Sequence, residues 1–366
     1  MKLALVRRGY SATGGAEAYL KRFAHALVAA GHECTLFSSE AWPAEEWPFD
    51  LQRLPEGGSP RGFAQAFEAS GAAGASDFVF SLERLFRCDG YRAGDGVHSA
   101  WLERRARFEP FWKPIFRSLQ AKHREIIELE RDMFEKRSAG IVIANSKMVR
   151  DEIIARCGYP AERIHVVYNG SPPPPEPETQ ARLRDEVRRE LGFRERDYVI
   201  LFAGSGWDRK GLRFAIAGMN EAALARPTLL VVGKGRREQM PHSTRVRYLE
   251  PVRDLTRLLA GADAFLLPTI YDPFSNACLE ALTAGLPVIT TAANGFSEIL
   301  APSEGEIVAD PSDPLALARA IEAWAPYDQR VAVRPQLRQK GAEFTIDRNL
   351  RETLEIIGRA QSRGRG

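Results

Sequence analysis

The residues most able to do chemistry lie in the stretch 271–291, which reads YDPFSNACLEALTAGLPVITT. An apolar run precedes it, so the pattern predicts a buried strand, a short loop, a helix from about Ser275, Gly285 at the end of that helix and a second buried strand. In such a βαβ unit the helix N-terminus favours an anionic ligand, because it offers unpaired N–H groups and a partial positive charge. Asp272 lies in the loop, and Glu280 lies eight residues further on. Since a carboxylate can accept two hydrogen bonds from a vicinal diol, we expect a ligand with a phosphate end and hydroxyl-rich ends, and a nucleotide sugar has that layout.

The adjacent cations Arg209 and Lys210 are a second group able to bind an anion, and they follow a glycine-rich turn in the run GSGWDRKG. The pattern places them at the start of a helix, where two cations oppose the helix dipole and are unfavourable unless an anion lies beside them. A planar arginine fork and a lysine point charge suit the closely spaced negative charges of a diphosphate. The alternative is a solvated surface pair. The sequence has no Asp-x-Asp after a strand, so we expect these cations and helix N-termini to replace a divalent metal, and we expect no cofactor.

Composition indicates an ordinary globular protein. The chain of 366 residues has a formal net charge of +3, and 44% of its residues are hydrophobic. These values fit about two domains and do not indicate a nucleic-acid partner. The four cysteines are widely separated and form no CxxC, so we expect neither a disulfide framework nor a zinc site, and a reducing cytosol is the simplest setting. The opening MKLALVRRGY is typical of a first strand rather than a signal peptide, and no apolar run is long enough to span a membrane.

Strands and helices alternate along the chain. A buried strand at residues 2–6 is followed by the loop GYSATGG, which ends at Gly14 and Gly15, and then by a helix at about 16–30. That order is typical of a phosphate-binding turn, but the glycines do not match GxGxxG, and a tight turn that merely needs glycine is the alternative. Further strands are predicted at residues 32–38, 78–82, 141–144, 198–203, 228–233, 245–249, 264–267 and 287–291. The alternation predicts an α/β fold with open parallel sheets.

The proline run SPPPPEP at residues 171–177 is the clearest domain boundary, because it neither pairs in a sheet nor continues a helix. We therefore predict an N-terminal domain at residues 1–170, a linker at 171–177 and a C-terminal domain at 178–345. A last helix and a frayed basic tail, QSRGRG, follow at residues 346–366.

An aromatic and basic segment covers residues 101–124 and contains seven Lys or Arg residues but only two acids. Aromatic residues interleaved with cations favour contact with an anionic membrane surface. A core-packing aromatic face with a solvated basic back fits the pattern equally well. Just upstream, the turn GDGVH contains Asp95 and His98, although an Asp in a turn is usually a turn or capping residue. The basic residues of the segment are Arg104, Arg105, Arg107, Lys113, Arg117, Lys122 and Arg124.

Taken together, these motifs resemble the retaining family 4 glycosyltransferases of the GT-B fold. The resemblance rests on the acid-x7-Glu block at 272–287, on RKG at 209–211, on VVGKG at 231–235, on NG at 169–170 and on Gly14-Gly15, in the family's order. The family usually has Glu where this chain has Asp272. Within the family the chain is most similar to lipopolysaccharide core glucosyltransferase I-like enzymes, through residues 101–124 and the forms GDGVHSAWL and DPFSNACLEAL.

The resemblance implies two Rossmann-like domains whose parallel sheets face each other across a cleft. The N-terminal domain would bind the acceptor, the C-terminal domain would bind the nucleotide sugar, and the last helix would cross back to the first domain. Asp95 would face the acceptor hydroxyl and orient it or take its proton, and His98 is the alternative because its unperturbed pKa is nearer neutrality.

The resemblance also implies the donor contacts. Gly14 and Gly15 would approach the donor phosphate, and Arg209 and Lys210 would neutralise the diphosphate. Glu280 would bind the ribose hydroxyls. Asp272, with the backbone at Ser275 and Asn276, would hold the donor sugar, and the backbone near Val252 would contact the base.

The sequence therefore predicts a metal-independent retaining transferase that moves a glucose-like hexose from a UDP-sugar to a lipopolysaccharide core or related glycan, free or lipid-linked. We expect it to be cytoplasmic and peripheral on the inner membrane through residues 101–124, with no nucleic-acid partner. The alternatives are a family 4 transferase for exopolysaccharide or a small acceptor, a nucleotide-sugar 2-epimerase, and a non-catalytic scaffold that keeps the binding cleft.

Overall fold

The structure of the protein is a computed structural model, and it describes residues 1–11, 15–40, 42–55, 58–109, 121–252 and 254–364. The chain divides into two compact units. The first unit comprises Met1–Tyr168 and Asp347–Gly366, and the second unit comprises Asn169–Ile346. In chain order the second unit is therefore inserted into the first.

In the described residues a parallel sheet of seven strands forms the centre of the first unit, in the order β3-β2-β1-β4-β5-β6-β7. The order reverses between β1 and β4, and ligands of open α/β sheets bind beside the carboxyl ends of the strands at such a reversal. The strands are β1 (Lys2–Val6), β2 (Glu33–Ser38), β3 (Asp50–Arg53), β4 (Phe78–Ser81), β5 (Cys88–Ala93), β6 (Ala139–Ala144) and β7 (Ile164–Val166).

Helices connect these strands and bury apolar faces against the sheet. Leu3 and Leu5 of β1 are buried, as expected for a central parallel strand that is covered on both faces. Phe23 and Leu27 of the first helix have no exposed surface, as the helical spacing predicts. The helices of this part are α1 (Gly15–Ala29), α2 (Pro60–Ala69), α3 (Ala72–Ala75), α4 (His98–Ala106), α5 (Ala121–Glu135) and α6 (Lys147–Cys157).

Among the described residues of the second unit, six parallel strands form a sheet in the order β10-β9-β8-β11-β12-β13, which reverses between β8 and β11. The strands are β8 (Val199–Ala203), β9 (Thr228–Val232), β10 (Val246–Tyr248), β11 (Ala264–Leu267), β12 (Val288–Thr291) and β13 (Gly305–Val308). The helices are α7 (Pro177–Glu190), α8 (Trp207–Lys210), α9 (Leu212–Glu221), α10 (Thr256–Gly261), α11 (Asn276–Thr283), α12 (Pro314–Ala323) and α13 (Tyr327–Gly341). The predicted α/β class with two Rossmann-like parallel-sheet units is confirmed.

The last helix, α14 (Ile346–Gly364), packs on the first unit. Asn349 Nδ2 donates to the Tyr168 carbonyl at 2.6 Å, and Gln361 Nε2 donates to the Asp77 carbonyl at 3.1 Å. In the described residues this helix includes the first part of the predicted basic tail and ends at Gly364.

The chain enters and leaves the second unit at adjacent points. The Ser171 N–H donates to the Phe344 carbonyl at 2.9 Å, and Ser171 and Thr345 form a parallel bridge. Gly170 lies so close to this contact that a Cβ atom there would come within 2.4 Å of the Thr345 carbonyl oxygen. The two ends of the unit are thus tied to each other.

Within the described residues, no helix is both long enough and apolar enough to cross a membrane.

Candidate active site

The Arg209-Lys210 pair lies at the switch point of the second sheet. It ends the one-turn helix α8, and Gly211 separates it from α9, so the prediction that the pair starts a helix was wrong. The Arg209 carbonyl accepts hydrogen bonds from the Ile270 N–H and from Thr269 Oγ1, both at 2.9 Å. The turn after β8 is therefore fastened to the loop after β11.

Gly211 makes this close approach possible. Its φ angle is +78°, and a Cβ atom at this position would come within 1.9 Å of the Pro268 carbonyl oxygen. A larger residue would have to adopt a left-handed backbone and push the two loops apart. The glycine of the RKG motif is thus required by packing as well as by backbone conformation.

The Asp272 carboxylate lies close to both cations. Lys210 Nζ forms an ion pair with Asp272 Oδ2, and Arg209 Nη1 lies 3.7 Å from the same oxygen while it donates to the Tyr271 carbonyl at 3.1 Å. Burial would raise the pKa of the Asp272 carboxyl, but the charges of Lys210 and Arg209 and hydrogen bonds from Lys210 and the Phe274 N–H outweigh it. The pKa of Asp272 is lowered, so the group is a buried carboxylate that aligns two cations.

The start of α11 is shaped by a buried asparagine that the sequence analysis missed. Ser275 is the N-cap of this helix and accepts from the Cys278 N–H at 3.3 Å. Asn294 has no exposed surface, and its Oδ1 accepts from the Ser275 N–H at 3.2 Å while its Nδ2 donates to Thr290 Oγ1 at 3.0 Å. Asn294 therefore holds the Ser275 backbone in place, and the Asn-Gly pair that follows β12 is the sequence signal that marks it.

The remaining predicted donor residues lie on three elements of the second unit. Asn276 is the first residue of α11 and is exposed, and Glu280 is half-buried one turn further along this helix. Val252 is 43% exposed in the loop after β10. The structure thus places Asp272, Arg209 and Lys210 in one cluster and the start of α11 beside Asp272, whereas Val252 belongs to a separate loop.

In the first unit, Gly15 is the first residue of α1 and is exposed, and Gly14 lies outside the described residues. A cavity of about 860 Å³ lies at the switch point of the first sheet, after the ends of β1 and β4. Both predicted acceptor-side residues, Asp95 and His98, line it. Other lining residues are Arg7, Arg8, Glu40, Phe63, Glu83, Arg84, Trp101, Lys122, His123 and Ile126.

A buried ion pair holds the loop that contains Asp95 and His98. Glu130 of α5 is 3% exposed, and its Oε1 accepts from Arg84 Nη2 at 2.7 Å and from the His98 N–H at 2.7 Å. Arg84 Nη2 also donates to the Gly96 carbonyl at 2.9 Å. Because Val97 provides no side-chain cap, Glu130 acts as the cap of α4 from another helix and fixes the turn from which exposed Asp95 projects.

The His98 ring is uncharged at neutral pH. Burial, together with the charges of Arg84, His123 and Lys122, lowers the pKa of His98 to about 3, against the opposing effect of Asp95. This pKa lies well below the unperturbed value on which the choice of His98 as the alternative to Asp95 was based. The neutral His98 ring is a weak base that offers hydrogen-bonding atoms to the cavity.

In the described part of the segment 101–124, two of the basic residues already form ion pairs within the protein. Arg104 pairs with Glu152 at 2.9 Å, and Arg105 pairs with Glu109 at 2.7 Å. Lys122 lines the cavity. Residues 110–120, which include most of the large aromatic side chains of the prediction, lie outside the described residues.

In the described residues, no group of three or more His, Cys, Asp or Glu is arranged to hold a metal ion. The charged groups that meet at the second switch point are instead two cations and one carboxylate.

Comparison with known proteins identifies both halves of the chain. The family model described as Glycosyltransferase Family 4 matches residues 13–173, and the model described as Glycosyl transferases group 1 matches residues 197–325. The two matches follow each other along the chain, the first over β2–β7 and the second over β8–β13.

Two curated relatives are 25% and 27% identical to this chain over the aligned residues. The lipopolysaccharide glucosyltransferase WaaG of Escherichia coli is 25% identical over 321 residues, which are 82% of this chain and 83% of the relative. An uncharacterized glycosyltransferase of Methanocaldococcus jannaschii, MJ1607, is 27% identical over 195 residues, which are 50% of this chain and 50% of the relative. The chain therefore matches most of the length of one relative and about half of the other.

Solved structures share the fold. The crystal structure of WaaG, described as a glycosyltransferase involved in lipopolysaccharide biosynthesis, superposes with a TM-score of 0.78 at 22% identity and covers 97% of this chain and 99% of WaaG. Anabaena Alr3699/HepE, solved in complex with UDP and glucose, gives a TM-score of 0.72 at 17% identity and covers 98% and 99% of the two chains. With both family models and the two-sheet architecture in agreement, the chain belongs to the family 4 glycosyltransferases and is a transferase.

Proposed function

We propose that this protein moves a glucose-like hexose from a nucleoside-diphosphate sugar, with UDP as the nucleotide, to a lipopolysaccharide core or related glycan. One observation carries the proposal: Arg209 and Lys210 converge on buried Asp272 where the order of the second sheet reverses. Ligands of open α/β sheets bind at such a point, and two aligned cations there suit a diphosphate.

The donor is proposed to lie with its diphosphate against the two cations. The bond between the anomeric carbon and the phosphate oxygen breaks, and its electron pair goes to the diphosphate. Arg209 and Lys210 stabilise the charge that grows on that leaving group, so no divalent metal is needed. Asp272 keeps both cations in place before the donor arrives, which lowers the reorganisation needed in the transition state.

The hydroxyl-bearing ends of the donor are proposed to meet the remaining groups of the second unit. Glu280 would accept hydrogen bonds from the ribose diol, and the backbone at Ser275 and Asn276 would hold the sugar. Support for UDP and glucose comes from HepE, whose crystal structure has the same fold and contains both.

The acceptor is proposed to bind in the cavity of the first unit. Asp95 would orient the attacking hydroxyl and take its proton as the new glycosidic bond forms, with retention of configuration at the anomeric carbon. The likeness to WaaG over 82% of this chain supports a lipopolysaccharide core as the acceptor class.

We also propose a cytoplasmic location with peripheral attachment to an anionic inner-membrane surface through residues 101–124. The support is the excess of basic residues in that segment. The pairing of Arg104 and Arg105 with carboxylates leaves the other basic residues to supply most of the attraction.

The test is a transfer assay with UDP-, GDP- and ADP-sugars, with and without core oligosaccharide and with excess EDTA. We expect transfer from a UDP-sugar that EDTA leaves nearly unchanged and that Arg209→Ala lowers by roughly 100-fold or more, the scale of lost charge stabilisation. Strict dependence on added Mg²⁺ or Mn²⁺ would contradict the role of the cations. Consumption of donor with release of a free epimerised sugar would indicate an epimerase, and no turnover with any donor would indicate a scaffold.

A further inference from the structure

Among the described residues, four Arg or Lys side chains line the first-unit cavity, and acids of the protein already neutralise two of them. Arg7 pairs with Glu17 at 3.0 Å and with Glu83 at 2.9 Å. Arg84 pairs with Glu130 at 2.7 Å. Each of these two guanidinium groups therefore has a carboxylate beside it before any ligand binds.

The other two cations of the wall are Arg8 and Lys122. Within the part of the chain that the structure describes, neither the Arg8 guanidinium nor the Lys122 ammonium forms an ion pair or a hydrogen bond. Arg8 is half-buried and Lys122 is exposed. A charge that is partly removed from water is costly unless a counter-charge lies beside it, so the pair favours an anionic ligand in the cavity.

The backbone of Arg8 is firmly held, in contrast to its side chain. Its N–H donates to Glu83 Oε1 at 3.3 Å, and its carbonyl accepts from Ser38 Oγ at 3.0 Å. The N–H and the Oγ of Ser39 donate to the same carbonyl at 3.0 Å and 2.6 Å. Because Arg8 lies two residues after β1, these bonds fix the base of its side chain at the switch point of the first sheet.

Lys122 brings the second cation close to the turn that contains Asp95. Lys122 is the second residue of α5. The pKa of the His98 ring is lowered to about 3 by burial, by Arg84 and by further charges that include Lys122. Asp95 acts on the same ring in the opposite direction. An anion bound to Lys122 would therefore lie near the group proposed to take the acceptor proton.

The acids of the wall oppose an anion only weakly. Glu83 is occupied by Arg7 and by the Arg8 N–H. Asp95 and Glu40 are exposed, so water and salt screen their charges. The half-buried Arg8 is screened less, and its planar fork suits a carboxylate or a phosphate, whose oxygens can accept two of its N–H groups at once.

We propose that the acceptor carries an anionic substituent, a carboxylate or a phosphate group, and that Arg8 and Lys122 bind it. The anion neutralises the two cations that have no partner in the protein, and it directs a neighbouring hydroxyl of the acceptor towards Asp95. This inference rests on the proposed acceptor site and adds the chemical class of the acceptor, together with Arg8 as a residue that the sequence analysis did not single out.

The kinetic experiment uses the full chain and three forms of core oligosaccharide: untreated, treated with phosphatase, and with its carboxyl groups converted to methyl esters. We expect Arg8→Gln and Lys122→Gln each to raise the acceptor KM of the untreated form by roughly tenfold or more, the scale of a lost hydrogen bond to a charged group, and to leave the donor KM unchanged. One treated form should have this higher KM with the wild type, and the variants should not raise it further, because the interaction is already lost. The treatment that has this effect identifies the anion.

Two further variants complete the series. Arg8→Lys keeps the positive charge and should retain more affinity for the acceptor than Arg8→Gln. Arg22 is an exposed residue of α1 outside the cavity wall, so Arg22→Gln is the matched control and should change nothing. The inference is overturned if both treated forms match the untreated form, if the variants raise the KM of all three forms equally, or if they raise the donor KM instead.

A binding arm separates this inference from the proposed function. Calorimetry measures the binding of each oligosaccharide to the full chain with UDP present, so that Arg209 and Lys210 do not bind the anion instead. If the wild type transfers no sugar, the proposed function fails, while a preference for the untreated oligosaccharide that Arg8→Gln removes still supports the anion site. Equal binding of all three forms, or binding of none, overturns it.

Discussion

Replacement of Lys210 by Met separates the structural role of the Lys210–Asp272 ion pair from its role in the reaction. The side chains of Lys210 and Asp272 are only 13% and 7% exposed, so solvent screens their interaction weakly. Removal of the lysine leaves a buried carboxylate whose nearest cation is Arg209 at 3.7 Å. Breaking a buried pair by removing one partner costs about 3–5 kcal/mol, and the remaining Arg209 places this case near 3 kcal/mol.

The double variant Lys210→Met with Asp272→Asn removes both charges. We expect its stability to return to within about 1 kcal/mol of the wild type, because no unpaired charge remains buried. In calorimetry the single variant should lower the Tm of the second unit by roughly 6–12 °C, since 1 kcal/mol corresponds to about 2–4 °C in a unit of this size. Transferase activity should stay at least about 100-fold lower in both variants, because the lost cation stabilised the leaving group.

A surface lysine of the same unit serves as the control. Lys340 lies 3.3 Å from Glu343 across a pair whose side chains are 28% and 53% exposed, so Lys340→Met should cost less than about 0.5 kcal/mol. The reasoning is refuted if Lys210→Met destabilises no more than this control. It is equally refuted if the double variant recovers activity along with stability, because Lys210 would then have no part beyond neutralising Asp272.

Three further predictions test other parts of the molecule. Glu280→Gln should weaken binding of free UDP in calorimetry and raise the donor KM more than it lowers kcat, because the ribose contact is the same in ground and transition states; an unchanged affinity would remove Glu280 from the donor site. The fraction of protein that sediments with vesicles should rise with anionic lipid and fall with salt, and replacement of Lys113, Arg117 and Arg124 by Gln should abolish it. Binding that persists in this variant would show that another part of the protein contacts the membrane. Between pH 6.5 and about 3 the unfolded chain binds a proton at His98 that the folded protein does not, so the free energy of unfolding should decrease as the pH is lowered through this window, and it should decrease less in His98→Gln. If urea titrations give the two proteins the same dependence of this free energy on pH, His98 binds a proton as readily in the folded as in the unfolded state.

Long apolar runs made the centres of both sheets predictable. Lys2–Val6 and Ala264–Leu267 are near-continuous apolar segments, and the structure has strands with these bounds. Strands with polar sequences escaped prediction. Asp50–Arg53 is a largely exposed edge strand, and Cys88–Ala93 contains Arg92, whose guanidinium lies 3.6 Å from the centre of the Tyr19 ring. The pairing partners of such a strand determine that it forms, and the local sequence pattern carries no information about those partners.

Some features of the site were also predictable from the sequence, and others depend on contacts between elements that are distant in the chain. A helix that begins at about Ser275 and Arg209-Lys210 as candidate anion ligands follow from local chemistry. The contact of Lys210 with Asp272 does not, because it depends on β8 lying next to β11 in the sheet. Glu130 carries no local sign of its role, since its partners Arg84 and His98 come from other elements and meet it only after the first sheet has formed.

The insertion of the second unit into the chain of the first determines the order in which synthesis completes them. A ribosome releases β1–β7 first, the whole of Asn169–Ile346 next and α14 last. Thr353 and Ile357 of α14 have no exposed surface in the folded protein, so the first unit keeps an uncovered face until its final twenty residues emerge. The second unit can form its Ser171–Phe344 hydrogen bond before α14 is released, because both residues precede α14 in the chain. A chain that stops at Ile346 would consequently join a complete second unit to a first unit that was begun earlier and left unfinished.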